Sequence, residues 1–198
     1  MLKECTEIKM IMNNNYSRVV PPVNTREEAS VWVAIFLCLV IVTGAVFAAE
    51  SLSDADKQLK IYSMQAGYKK KFPGVVDFSA DQILQLRNRN LIIFVDTRGQ
   101  KEQTVSMIPG AITEKDFLQN PLVYKNHIVI AYCTIGLRSC KLAQKFTPKG
   151  IAIFNLYGGI LAWLHAGGSV HKDGNPVNRV HVYGRKWNLA PAAMKSVW

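Results

Sequence analysis

An α/β fold built on a central parallel sheet is what this chain predicts, and three observations carry the prediction. The runs LIIFVD (Leu91 to Asp96), HIVIAY (His127 to Tyr132) and IAIFNL (Ile151 to Leu156) are continuously apolar rather than alternating, the pattern of strands buried on both faces. Stretches of helical period separate them, as a parallel sheet requires. Cap and turn residues mark the junctions, as at Ser79 to Gln82 and at Gly158-Gly159. A sheet of about five strands flanked by helices on both faces follows.

The elements before the sheet divide by composition. Residues 1–30 form a leader of mixed charge, and Val31 to Ala49 is a stretch of nineteen residues without a charge. A helix of about 20 such residues spans a bilayer's hydrocarbon core. AVFAAE (Ala45 to Glu50) offers a cleavage site after Ala48, with Val46 and Ala48 at the small-residue positions, so residues 31–49 are either a signal peptide or a retained anchor. The length of the leader favours the anchor. Arg18 and Arg26 before the segment and Lys57 and Lys60 after it leave orientation open. Either reading places the domain outside the cytoplasm at the cell envelope, membrane-anchored or secreted and periplasmic. Residues 50–74 read as a polar linker or N-terminal extension.

The folded domain is expected over residues 75–168. VVDF (Val75 to Phe78) is a short strand, and the capping box Ser79-Ala80-Asp81-Gln82 opens a helix running to about Arg89, with Ile83, Leu84 and Leu86 apolar. After the strand Leu91 to Asp96, MIPGAIT supplies a turn at Pro109-Gly110, a short strand, and then a short helix around Glu114 to Leu118. The strand His127 to Tyr132 leads through a loop to a helix from Ser139 to Phe146. The strand Ile151 to Leu156 and a helix through ILAWLHA (Ile160 to Ala166) close the pattern. Residues 169–198, with the turn KDGNP and the aromatic-rich VHVYGRKWNLAP, are expected to pack back over the domain.

Composition narrows the class of partner. A hydrophobic content of 49% with 19% charged residues is that of a globular chain. The first 48 residues hold four basic and four acidic residues, so the net charge of +10 belongs to the remainder, with 20 basic against 10 acidic. That excess attracts small anions, acidic partners or an anionic lipid surface. Lys69 to Lys71 is the one tight cluster and lacks interleaved aromatics, which argues against nucleic acid. Of the four cysteines only Cys133 and Cys140 lie in the domain. There is no C-x-x-C pair and no histidine at ligand spacing, so neither a metal nor an organic cofactor is expected.

The chemistry concentrates in CTIGLRS, Cys133 to Ser139. Sites in open parallel sheets form at the carboxyl ends of the strands, where Cys133 falls. A tight loop leading into a helix presents unpaired backbone N–H groups, which with the helix dipole stabilise negative charge on the sulfur. Gly136 permits positive φ, Arg138 adds a fork of donors suited to an oxyanion, and Ser139 is expected as the helix N-cap. Thr134, Ile135 and Leu137 complete an anion cradle around the nucleophile. Asp96 and Arg98, at the end of a buried strand, are read as a pair bracing the loop.

CTIGLRS resembles the C-x-x-G-x-R-S active-site loop of rhodanese-like sulfurtransferases. LIIFVDTRGQKEQ is similar to that family's strand ending in Asp-x-Arg with a glutamate following, MIPGAI to its I-P-G-A signature and NLYGGILAW to its last turn and helix, a likeness spanning Val75 to Ala166. The resemblance implies that Cys133 takes the outer sulfur of thiosulfate or of a polysulfide or persulfide donor. The resulting persulfide passes that sulfur to a thiophilic acceptor such as cyanide or a thiol. Ser106-Met107 stands where the family usually has Gly-His, and Ile135 and Leu137 make the loop apolar, which leaves the donor open. Three rivals are weighed against this reading. Tyrosine and dual-specificity phosphatases space five residues between cysteine and arginine, whereas four lie between Cys133 and Arg138, with Tyr132 in the place of their histidine. A thiol redox protein would need Cys140 to resolve Cys133. A non-catalytic sulfur carrier would load once and wait for a partner enzyme.

Overall fold

In a computed structural model, residues 52–86 and 91–198 are described. The leader and the apolar stretch Val31 to Ala49 lie outside them, as does the expected end of the first domain helix. Among the described residues no helix is long and apolar enough to cross a membrane.

The segment expected as a linker folds instead as a helix of sixteen residues, α1 (Asp54–Lys69). Its polar residues hid it in the sequence, because Ile61 and Gln65 alone are fully buried while Tyr62, Met64 and Tyr68 pack partly against the core. The local signals are ordinary. Ser53 is the N-cap, its hydroxyl accepting from the Asp56 amide, and Asp54 and Asp56 lie in the first turn, where they complement the helix dipole.

Next come β1 (Asp77–Phe78), α2 (Ala80–Gln85), β2 (Ile92–Asp96), α3 (Gln100–Gln103) and β3 (Ile112–Thr113). They are followed by α4 (Glu114–Gln119), β4 (Ile128–Tyr132), α5 (Leu137–Phe146), β5 (Ile153–Leu156) and α6 (Gly159–His165). The expected capping box forms at α2: Ser79 Oγ accepts from the Gln82 amide at 3.1 Å and Gln82 returns a bond to the Ser79 amide at 2.8 Å. The central sheet has five strands in the order β1-β5-β4-β2-β3, every pairing parallel. The α/β fold with helices on both faces is thus the one predicted.

Alternation along the strands sorts the core into two layers. Ile92, Phe94, Ile130 and Tyr132 face the layer of α1, α2 and α6, where the Phe94 ring meets Trp163 edge to face at 5.4 Å. Ile93, Val95, Val129 and Ala131 face the layer of α4 and α5, with Phe117 against Phe146 at 5.4 Å. Burying a large apolar side chain in such a layer contributes about 1.5–3 kcal/mol.

The C-terminal extension packs on the first of these layers. The hairpin β6 (Val170–Lys172) and β7 (Asn175–Val177) and the parallel pair β8 (Arg179–His181) and β9 (Lys195–Val197) bring Val170, Val180, Val182, Leu189 and Ala190 into that core. A further bond ties the extension to α1, where the Ala192 amide donates to both Asp54 carboxylate oxygens at 3.0 Å.

Candidate active site

Cys133 stands one residue beyond β4, and its loop is held from three sides. From below, the Thr97 amide and hydroxyl both donate to the Tyr132 carbonyl, at 2.9 and 3.0 Å. Tyr132 itself is fully buried, its hydroxyl donating to Asp96 Oδ2 at 2.8 Å and accepting from the Ile108 amide at 3.1 Å. Burial, then the Asp96 charge, pushes the phenol well above its ordinary value, so it stays a donor.

The second support is the start of α6. The amides of Ile160 and Leu161 donate to the carbonyls of Cys133 (2.9 Å) and Thr134 (3.3 Å). This requires a close approach of backbones: a Cβ on Gly159, whose φ is +59°, would lie 2.4 Å from the Cys133 oxygen. The glycine turn expected from sequence therefore clamps the loop as well as starting a helix.

The third support is α1. The Gln65 carboxamide is buried against Gly136, where φ is +110° and a Cβ would meet Gln65 Oε1 at 2.0 Å. Gly136 is also the N-cap of α5, and its amide donates to Cys133 Sγ at 3.1 Å. The amides of Leu137, Arg138 and Ser139 open α5 and have no partner inside the helix. Sulfur and orphan donors thus share one concave turn, an arrangement that stabilises negative charge.

One expectation is corrected here. Ser139 is not the N-cap: it sits in the first turn of α5 as a fully buried side chain, its hydroxyl donating to Asn155 Oδ1 at 2.6 Å. Asn155 in turn donates to Asp77 at 2.7 Å, and Asp77 pairs with Lys69 at 2.8 Å, so the serine links α5 through β5 and β1 to α1. Arg138, in the same turn, is ion-paired. Its two terminal nitrogens bond the Glu102 carboxylate at 2.6 and 2.8 Å, and one also reaches Thr134 Oγ1 at 3.1 Å. A half-buried guanidinium needs a counter-charge, and Glu102 on α3 supplies it. Burial opposes the charged form of Arg138, but the bonds to Glu102 and the attraction of Cys133 outweigh that and raise it. Burial likewise opposes ionisation of Glu102, yet Arg138 and the Gly99 amide hold its carboxyl below the usual range.

Asp96 and Arg98 form a buried ion pair. Arg98 donates to Asp96 at 2.7 to 3.2 Å and to the Ser106 carbonyl at 2.6 Å, and both side chains are fully buried. Ser106, which replaces the expected glycine, donates to the Arg179 carbonyl at 2.7 Å and so fastens β8 to the sheet. Cys140 is a free, buried thiol whose nearest polar partner is Gln65 Nε2 at 3.9 Å. Burial pushes it up to about 11, which keeps it protonated. His165 donates to the Leu189 carbonyl at 2.8 Å and serves the tail rather than the cysteine. Among the described residues no cluster of three His, Cys, Asp or Glu could hold a metal ion.

Above the sulfur lies an open cavity of about 340 Å³, lined by Tyr68, Cys133, Thr134, Ile135, Leu137, Arg138, Lys141, Tyr183 and Trp187. Sequence reasoning expected the tail that holds Trp187 only to pack over the domain, and missed Glu102, Gln65, Tyr68, Lys141 and Tyr183 as parts of the site. The glutamate was visible as the residue four after Arg98. The others come from helices and a tail that carry no motif.

Against known proteins, residues 79–166 are similar to the family model described as Rhodanese-like domain. No curated protein sequence matches the chain. Among solved structures, a Rhodopseudomonas palustris protein of unknown function, described as a possible tyrosine phosphatase, is 21% identical and covers 56% of this chain and 93% of that one, with a TM-score of 0.44. A rhodanese-like domain protein from Staphylococcus aureus is 25% identical, covering 50% and 95%, with a TM-score of 0.38. A thiosulfate sulfurtransferase from Pseudomonas aeruginosa is 18% identical with a TM-score of 0.47, covering 60% of this chain and 24% of that longer enzyme.

Proposed function

We propose that the protein is a sulfurtransferase in which Cys133 carries sulfane sulfur as a persulfide between a small anionic donor and a thiophilic acceptor. The observation that carries this reading is the Gly136 amide on Cys133 Sγ at 3.1 Å, inside a turn whose remaining helix-opening amides are free to receive negative charge. With thiosulfate as donor, the thiolate attacks the outer sulfur, the S–S bond breaks, and sulfite leaves with the electron pair. Cyanide or a thiolate then attacks the outer sulfur of the persulfide and returns the Cys133 thiolate, so no external oxidant or reductant is consumed.

The spacing that separates this loop from a phosphatase loop is matched by its geometry. Arg138, which a phosphoryl group would need as a free fork, is committed to Glu102. A redox partnership with Cys140 is disfavoured by the burial that keeps that thiol protonated. The uncharged stretch from Val31 to Ala49 supports tethering or export of the domain at the cell envelope, which fractionation and N-terminal sequencing of the host protein would test.

The full-length chain is incubated with thiosulfate, then with polysulfide, and its intact mass is recorded before and after cyanide, beside Cys133→Ser. A gain of one sulfur that cyanide removes, absent in the variant, is expected. No gain from either donor overturns catalysis with small molecules and leaves the sulfur-carrier reading, tested with a partner's persulfide.

A further inference from the structure

Helix α1 lies outside residues 79–166, yet four of its side chains at helical spacing, positions 61, 65, 68 and 69, meet the parts that hold the cysteine turn. Ile61 packs under Gly158, the N-cap of α6, where a Cβ would come within 3.0 Å of Ile61 Cγ2. Tyr68 lines the cavity above the sulfur. Lys69 pairs with Asp77 at the far end of the bonds that begin at Ser139. Gln65 is the member of this row whose chemistry packing alone does not explain.

Glutamine is mostly a surface residue, but Gln65 has no exposed area. Its Nε2 lies 3.9 Å from Cys140 Sγ, a weak acceptor, and its Oε1 has no hydrogen-bond partner. An unpartnered buried oxygen lowers stability, and a methionine of similar length would avoid that loss. The carboxamide offers what a flexible thioether cannot, a rigid plane. That plane lies on the bare Cα of Gly136, so close that a Cβ there would stand 2.9 Å or less from Cδ, Oε1 and Nε2. Glycine is the freest residue in a chain, and this one has to hold φ near +110°. Its N–H swings with the peptide plane that φ helps to set, so a drift in φ takes the amide off Cys133 Sγ, 3.1 Å away.

We infer that Gln65 is a positioning residue for sulfur transfer: its carboxamide confines Gly136, and Gly136 thereby keeps its amide on the Cys133 sulfur. Gln65 is sealed from the cavity and acts through the turn alone. Its unpartnered oxygen is a local loss of stability that accompanies a fixed hydrogen bond on the nucleophile. This inference deepens the reading of Cys133 as a sulfur carrier and rests on it.

The test uses the full-length chain with Gln65→Met and Gln65→Ala, beside Lys60→Ala on the exposed side of the same helix. Iodoacetamide alkylation is followed against pH and read on the peptide that holds Cys133, sulfur transfer from thiosulfate to cyanide gives kcat, and thermal unfolding gives stability. Gln65→Met should melt at or above the parent's temperature, since the unpartnered oxygen is gone. Its alkylation midpoint should nevertheless move up by about one pH unit and its kcat fall about tenfold, the effect of losing one hydrogen bond to the charged form of the sulfur. Gln65→Ala should show the same shift with a lower melting temperature, and Lys60→Ala should change neither profile nor kcat. If Gln65→Met and Gln65→Ala both keep the parent's pH profile, the inference is overturned whatever their stability. A shifted profile in a chain that transfers no sulfur even as the parent supports the positioning role and overturns the sulfur-carrier reading instead.

Discussion

The sheet with its crossover helices and the two segments flanking it contribute to the site in opposite ways. Between residues 79 and 166 the chain supplies the nucleophile, the turn of amides and the Asp96, Arg98, Glu102 and Arg138 network, all locked by short backbone approaches. Helix α1 and the C-terminal extension supply Tyr68, Tyr183 and Trp187, side chains on a rim with few bonds to the loop. The contrast teaches that the two sides of the cavity are separable: the cysteine turn is a property of backbone geometry, its aromatic wall one of surface side chains.

The comparison breaks most violently at Gly159. Gly159→Ala forces a Cβ into the Cys133 carbonyl at a positive φ, and should cost about 2–4 kcal/mol in denaturant unfolding and lower sulfur loading at least tenfold. If loading survives unchanged, the loop is not held by α6. Glu102→Gln should cost about 1–2 kcal/mol, at the low end for a charged hydrogen bond because Arg138 keeps 31% of its side chain in solvent. Because the Glu102 pKa is depressed on folding, its contribution is present above the ordinary carboxylate value and is lost as pH falls through the lower folded one. The variant should therefore show a flatter acid limb in stability against pH.

Smaller effects sharpen the same contrast. Cys140→Ala should cost about 1 kcal/mol and leave cyanide-reversible loading intact, whereas a resolving thiol would make loading fail or stall. Tyr183→Gly should keep stability within about 1 kcal/mol of the parent in thermal unfolding, since relief of strain offsets lost contacts. His181 adds a pH dependence to that residue. Burial first, and then Arg98 and Arg138, hold its ring below the ordinary value of about 6.5 against the opposing pull of Glu102, so its neutral Nδ1 accepts from Tyr183. Acidification through the folded value should loosen Tyr183, seen as faster amide exchange at that residue, before it frees Arg138. Asp54→Asn, the mildest change, should raise hydrogen exchange at Ala192 without altering loading.

What was legible in the sequence follows the same division. Buried parallel strands are continuous apolar runs, so β2, β4 and β5 stood out, and the glycines at 136, 158 and 159 marked where the backbone turns. Helix α1 was hidden because a surface helix with one narrow apolar stripe has the composition of a linker. The Arg138 pairing escaped because a side chain's counter-charge depends on which element lies across the loop, here α3. Ser139 misled because a serine at a helix start resembles a cap, and only the neighbouring strand shows that Asn155 claims its hydroxyl.

The bond between the Ala192 amide and Asp54 joins the first and last parts of the domain to be synthesised. The extension is thus tied to α1 as well as to the core, which it enters through Val180, Val182 and Leu189 beside Tyr132. Proteolysis within the extension should therefore loosen both the core around Tyr132 and the cavity wall of Tyr183 and Trp187.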